Sequence, residues 1–179
     1  MKILKYTILS ISLYVGSTLT IYFMITILTA SHHYSITSDV QKVTSETNIW
    51  DQLLRVYLWN LMTYIVSIFS GFSLGRIFIL ILILLKSANL AFILSQVPGD
   101  ILHKVLIFGI LPHSVFEVTA LCLSWSLGLI LAECENWKCF KHVITKCWKV
   151  LVTILLLLII AAYIEVCITP KLLHRALTQ

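Results

Sequence analysis

Residues 71–97 read GFSLGRIFILILILLKSANLAFILSQV, and this stretch decides the fold class. Gly71, Gly75 and Arg76 form a tight turn, and Ile77 to Leu85 then run without a single polar side chain. Lys86 and Asn89 interrupt the apolar run before it resumes to Val97. The whole chain shares the bias: of its 179 residues 59% are hydrophobic and 12% charged, with a mean hydropathy of +0.97. A soluble domain is about 45–50% apolar and about 25% charged, so this chain has too little polar surface for water. Lipid is the solvent that fits, and the expected fold is an all-α polytopic transmembrane bundle.

Working outward, residues 53–72 and 77–97 make two expected spans joined by the Gly71–Gly75 turn. Upstream, an apolar run over 6–30 follows Lys2 and Lys5. It is much longer than the apolar region of a secretory signal, about 7–15 residues, and Leu28 stands where a cleavage site wants a small residue. It reads as an uncleaved first span. A polar outer loop over about 31–52 holds His32 and His33 and ends near Trp50, an interfacial anchor. Downstream, Pro98-Gly99-Asp100 signals a turn. Residues 101–132 are too long for one straight span of a roughly 30 Å core at about 1.5 Å per residue. A half-helix over 101–111 and a span over 112–132 beginning at Pro112 fit better. Residues 135–149 alternate Trp137, Phe140, Ile144, Cys147 and Trp148 with lysines, as a basic amphipathic inner helix does. A last span over 150–168 closes at Pro170. The expectation is one membrane domain over 1–179 with five spans.

Lys2, Lys5, Arg76, Lys138, Lys141, Lys146 and Lys149 fall on one side of this layout. Basic residues concentrate on the cytoplasmic side, which sets the N-terminus inside and the C-terminus outside in a multi-pass cell membrane protein. The net charge of +5 therefore speaks for a bilayer partner, and no nucleic-acid-binding signature accompanies it. The five cysteines show no two-residue metal spacing and are odd in number, so they read as free thiols. No Gly-rich phosphate loop is present, so any ATP-driven work needs a separate ATPase. No cofactor is expected.

Polar groups inside a bilayer are expensive and usually face a protein interior or cavity. Asn60, Lys86, Asn89, His113, Glu117 and Glu165 are the residues in question. His113 and Glu117 lie one helical turn apart on one face. His113 opens its span from the outer side and Glu165 closes its own near the same side, so a shared depth is expected, with Lys86 able to approach Glu117. The ordinary reading of such groups is structural pairing within a bundle; conduction or grip of a substrate is the functional one. A zinc reading finds no His-Glu-x-x-His pair, and no metal is assigned. Gly71 and Gly75 have the spacing of close helix packing, but a turn is the simpler use. Lys138, Lys141, Lys146 and Lys149 serve either the membrane surface or the docking of a cytoplasmic partner.

Residues 110–120, ILPHSVFEVTA, resemble the signature of the stage II sporulation protein M family: Leu-Pro-His-Gly, a few apolar residues, then Glu. Residues 161–170, AAYIEVCITP, are similar to its closing Ala-x-x-Glu-Ala-x-x-Thr-Pro pattern, and Asn60 and Asn89 fall where the family tends to carry Asn. The resemblance covers about 53–170. Ser114 departs from the usual Gly. The resemblance implies a mixed set of functions. The namesake acts in engulfment beside cell-wall hydrolases; short relatives accompany circular bacteriocins, an ABC transporter and immunity proteins. The compact length looks more like the second group. The expected function is thus a non-enzymatic membrane component of bacteriocin-type peptide maturation, export or immunity with an ABC-type ATPase partner. An intramembrane peptidase or maturase using His113, Glu117 and Glu165 is the alternative from a different class, and a structural sporulation component is the third.

Overall fold

A computed structural model describes residues 2–29 and 48–178, and all its elements are helical among them. The expected outer loop, with His32 and His33, lies almost wholly outside the described residues. In chain order the elements are α1 (Lys2–Thr29), α2 (Ile49–Ser95), α3 (Gly99–Lys104), a π-helical segment π1 (Val105–Ile110), α4 (Leu111–Leu131), α5 (Trp137–Lys146), α6 (Trp148–Tyr163), a second π segment π2 (Ile164–Ile168) and α7 (Thr169–Thr178). Four helical stretches are long and apolar enough to cross a membrane: Ile3–Thr26, Ile49–Ser95, Gly99–Leu131 and Trp148–Thr178. Leu84, Leu85, Leu156 and Ile159, among many others, leave half or more of their surface exposed, as lipid-facing side chains do.

Helix α2 has 47 residues, about 70 Å if straight, more than twice a bilayer core. It is not straight. Gly75 sits at φ 79° and ψ −172°, a conformation open essentially to glycine alone, and the chain reverses there. Residues on both sides of the reversal meet the same glycine of α4: a Cβ placed on Gly128 would lie 2.6 Å from the Ser67 carbonyl oxygen and 2.9 Å from the Ile79 Cδ1. The residues of the expected spans 53–72 and 77–97 are therefore the two arms of a hairpin. Gly71, expected as part of the turn, has a different task. A Cβ there would collide with the backbone oxygen of Gly128, so the pair Gly71–Gly128 is where α2 and α4 touch main chain to main chain.

Helix α4 is the centre of the bundle and packs on α1, α2 and α6. Trp125, Leu127 and Leu131 are fully buried along it. Trp125 stacks on Tyr14 of α1 with ring centroids 5.7 Å apart. Short polar links between helices are made by small hydroxyls: Thr7 and Ser126 meet at 3.0 Å, and the Ser17 hydroxyl donates to Ser87 at 2.6 Å. At the Gly75 end, Tyr6 donates to Glu133 at 2.6 Å and Arg76 pairs with it at 3.0 Å, which ties α1, the hairpin turn and the end of α4 together.

Two expected boundaries are corrected. The chain does not break at Pro112, nor does Pro170 end the last span. In both places a π segment leads into the proline and the helix runs on: Val105–Ile110 before Leu111-Pro112, and Ile164–Ile168 before Thr169-Pro170. A proline lacks the N–H that an α-helix needs and its ring crowds the carbonyl four residues back. Those carbonyls belong to Phe108 and Val166, inside the two π segments. One extra residue in the turn relieves the crowding without ending the helix. The Lys104, Leu111, Ile164 and Thr169 backbones all stay right-handed helical.

Helix α5 is the expected basic amphipathic element in shortened form. Asn136 caps it by accepting from the Cys139 N–H at 2.9 Å, and Phe140 anchors it, stacked on Trp137 at 4.6 Å and against Phe72 at 4.9 Å. The expectation of five free thiols is corrected here. The turn between α4 and α5 brings the Cα atoms of Cys134 and Cys139 to 5.5 Å, within disulfide range, and the two are bonded. Cys122, Cys147 and Cys167 remain free.

Gly71→Leu should therefore lower the stability of detergent-solubilised protein by about 3 kcal/mol or more, since backbone cannot yield as a side chain does. Gly75→Ala should cost about 1–3 kcal/mol through backbone strain. Gly16→Ala, with open space around it, should be neutral or stabilising, and thermal unfolding that ranked these three otherwise would contradict the packing described. In non-reducing buffer, denatured protein should take up maleimide at three cysteines, rising to five after reduction; mass spectrometry counts the adducts.

Candidate functional site

The two Pro–π elements meet. Helix α7 packs on π1, with Leu173 3.6 Å from where a Cβ on Gly109 would stand, and Gly109 is buried there. Just past the two π segments comes a polar pairing: His113 follows Pro112, Thr169 precedes Pro170, and His113 Nδ1 lies 3.4 Å from Thr169 Oγ1. Thr169 is buried. Glu117 stands one turn beyond His113 on α4, and Glu165 lies inside π2. Widened π turns recur at functional sites because they re-aim side chains that an α-helix would point elsewhere.

A cavity of about 400 Å³ opens beside this junction, and Asn60, Lys86, Asn89, His113, Glu117 and Glu165 all line it. The hairpin explains the meeting of the first three. Asn60 and Asn89 lie at nearly equal distance on either side of Gly75, so the reversal sets the arms face to face. The Tyr64 hydroxyl donates to the Glu117 carbonyl oxygen at 3.0 Å, which registers the first arm against α4 at this depth. A second cavity of about 310 Å³ adjoins the first, sharing Trp59, Asn60, Glu117 and Glu165 and extending to Arg55.

Sequence reading missed several neighbours. Tyr14, Trp59 and Ser114 also line the larger cavity. Ser114 is adjacent to His113, and neighbouring residues point about 100° apart on a helix, yet both reach this wide cavity. Trp59 precedes Asn60 in an apolar segment and carries no signal of its own. Thr169 had one: a Thr-Pro at the end of a span.

The second predicted group lies elsewhere. Lys138, Lys141, Lys146 and Lys149 are exposed on or just after α5. Lys141 Nζ sits 5.9 Å from the Trp137 ring centroid. The polar cavity is well removed from them. Eleven residues of helix separate Gly75 from Lys86 and fourteen separate Glu117 from Leu131 at the end of α4, about 16 and about 21 Å. Beside α5 lies a further cavity of about 600 Å³, lined by Ile3, Glu133, the Cys134–Cys139 pair, His142 and Cys147 among others.

Comparison with known proteins agrees with the two motifs. The Stage II sporulation protein M profile matches residues 9–170. This reaches beyond the stretch that carried the resemblance in sequence and takes in most of α1. An uncharacterized protein of Methanocaldococcus jannaschii is 30% identical over 128 residues, which is 67% of this chain and 64% of that protein. The chain thus spans less than two thirds of the length of that relative. No solved structure matches. With the His113–Glu117 and Glu165–Thr169 elements joined around one cavity, and the profile matching nearly the whole chain, this membrane protein belongs to the Stage II sporulation protein M family.

Proposed function

We propose that this protein is a non-enzymatic subunit of a peptide-handling complex in a bacterial plasma membrane, of the kind that matures, exports or confers immunity to a bacteriocin-type peptide. In this reading a separate ABC-type ATPase docks on α5 and supplies the energy. The observation that carries it is the presence of two surfaces on one bundle: a polar cavity among apolar helices, and a row of exposed lysines on or just after α5, beyond the far end of α4. A subunit that grips a substrate group at membrane depth and meets a partner at the surface needs both. The chain has no Gly-rich phosphate loop, so the energy has to come from another protein.

The concentration of lysines supports a cytoplasmic α5 and N-terminus and, with the hairpin at Gly75, five passes and an outer C-terminus. In the cytoplasm the Cys134–Cys139 bond meets a reducing pool; α5 is then still held against α2 by Phe140 and Trp137 on Phe69 and Phe72.

Reversing Lys138, Lys141, Lys146 and Lys149 to Glu should cut the amount of ATPase that co-purifies by about tenfold, as the loss of several rim charges of modest individual worth would. Peptide secretion should fall with it, while membrane insertion of the protein itself is unchanged. Intact assembly and secretion in the reversed protein would sink the docking role.

A further inference from the structure

Two glutamates face one lysine in the larger cavity, each from a different element: Glu117 from α4, Glu165 from π2, Lys86 from the second arm of α2. The remaining titratable groups at the site are His113 and Tyr14, and Arg55 stands exposed where the smaller cavity ends. Among the described residues the one ion pair is Arg76–Glu133, so neither Glu117 nor Glu165 has a cation in salt-bridge contact, and neither carboxyl group makes a hydrogen bond. Asn60 gives an independent indication. It is 9% exposed, lines both cavities and has no hydrogen-bond partner among the described residues, so its amide is left to whatever occupies the cavity. Two carboxyl groups and one amide therefore converge on one space, and none of them makes a hydrogen bond among the described residues.

What would satisfy them is a donor with positive charge. A divalent metal is a poor match, because no group of three or more His, Cys, Asp or Glu is assembled for it among the described residues. A bare monovalent ion would leave most of about 400 Å³ unfilled, the share of about a dozen waters at about 30 Å³ each. We propose that the cavity receives a primary ammonium group carried on a peptide, a lysine side chain or an N-terminus. Its three N–H bonds go to the Glu117 carboxyl, the Glu165 carboxyl and the Asn60 side-chain oxygen, with the exposed Trp59 indole face beside it. Lys86 and Arg55 then bound the site at either end and limit it to one such group. Only the carrier of the ammonium group rests on the peptide-handling reading; the acceptor set does not.

The test uses the purified full chain in nanodiscs of phosphatidylcholine and phosphatidylglycerol. The probe is a fluorescent, blocked ten-residue Leu/Ala peptide with one central Lys, compared with the same peptide bearing acetyl-lysine. Acetylation should weaken binding by about tenfold or more, the scale of losing charge-assisted hydrogen bonds. Glu117→Gln and Glu165→Gln should each weaken it, and Glu117→Asp should recover part of the loss. Lys86→Gln should strengthen binding, because it removes the competing cation. Size-exclusion profile and tryptophan emission verify that each variant is folded. Equal binding of the two peptides, or a Lys86→Gln variant that loses binding while Glu117→Gln keeps it, would overturn the proposal, the latter by identifying an anion site. Competitive displacement of the peptide by phosphatidylethanolamine in the nanodisc would overturn the peptide as carrier, leaving a lipid amine in its place. The ATPase is absent from this assay. A failed docking experiment with intact ammonium binding therefore rejects the complex alone, and the reverse result rejects the site alone.

Discussion

The contact of Gly71 with Gly128 sets the spacing on which the rest of the bundle depends. Lipid offers helices little hydrophobic reward for associating with one another, so they gain from close packing and from short polar links. At Gly71 the backbones of α2 and α4 touch, and a side chain on either residue would push them apart. That nearness lets Tyr64 reach the Glu117 carbonyl, Phe72 reach Phe140, and Ser67 and Ile79 close over Gly128 from the two arms. Farther along the same two helices the fit loosens, and the polar cavity occupies the space that opens.

The prolines act at the other end by a different route. In hydrocarbon an unsatisfied carbonyl has no water to turn to. The π segments before Pro112 and Pro170 keep their helices continuous and rotate the residues on their C-terminal side. His113 and Glu117 come after one such segment, and Glu165 lies within the other. Both deviations from regular helix thus fall where the polar residues gather, and the His113–Thr169 contact joins them. The cavity is built from local departures in helical geometry as much as from the choice of side chains.

Membrane character, the reversal near Gly75 and the basic helix around Phe140 were legible in the sequence because each rests on composition or period. The polar residues were legible because charge is conspicuous against an apolar background. Their meeting in one cavity was only partly so: the shared depth of His113, Glu117 and Glu165 comes from counting residues, but the burial of Asn60 beside the exposed Trp59 depends on how the hairpin packs. The prolines misled as boundaries, since a proline's effect on a helix is set by whether an extra residue can be absorbed before it. Gly71 misled because turn and packing glycines look alike until the opposing Gly128, 57 positions away, is known. Cys134 and Cys139 gave no sign in their spacing; the turn after α4 is what brings them together.

The reversal at Gly75 has a consequence for how the chain comes to be in lipid at all. A turn this short cannot leave one arm outside while the other enters, so the two arms are delivered to the bilayer as a pair. Asn60 on the first arm and Lys86 and Asn89 on the second line one cavity, so the reversal carries both sides of it into the bilayer together. The polar wall that the first half of the protein contributes to the cavity is thereby delivered as one unit, and α4 and π2 complete it.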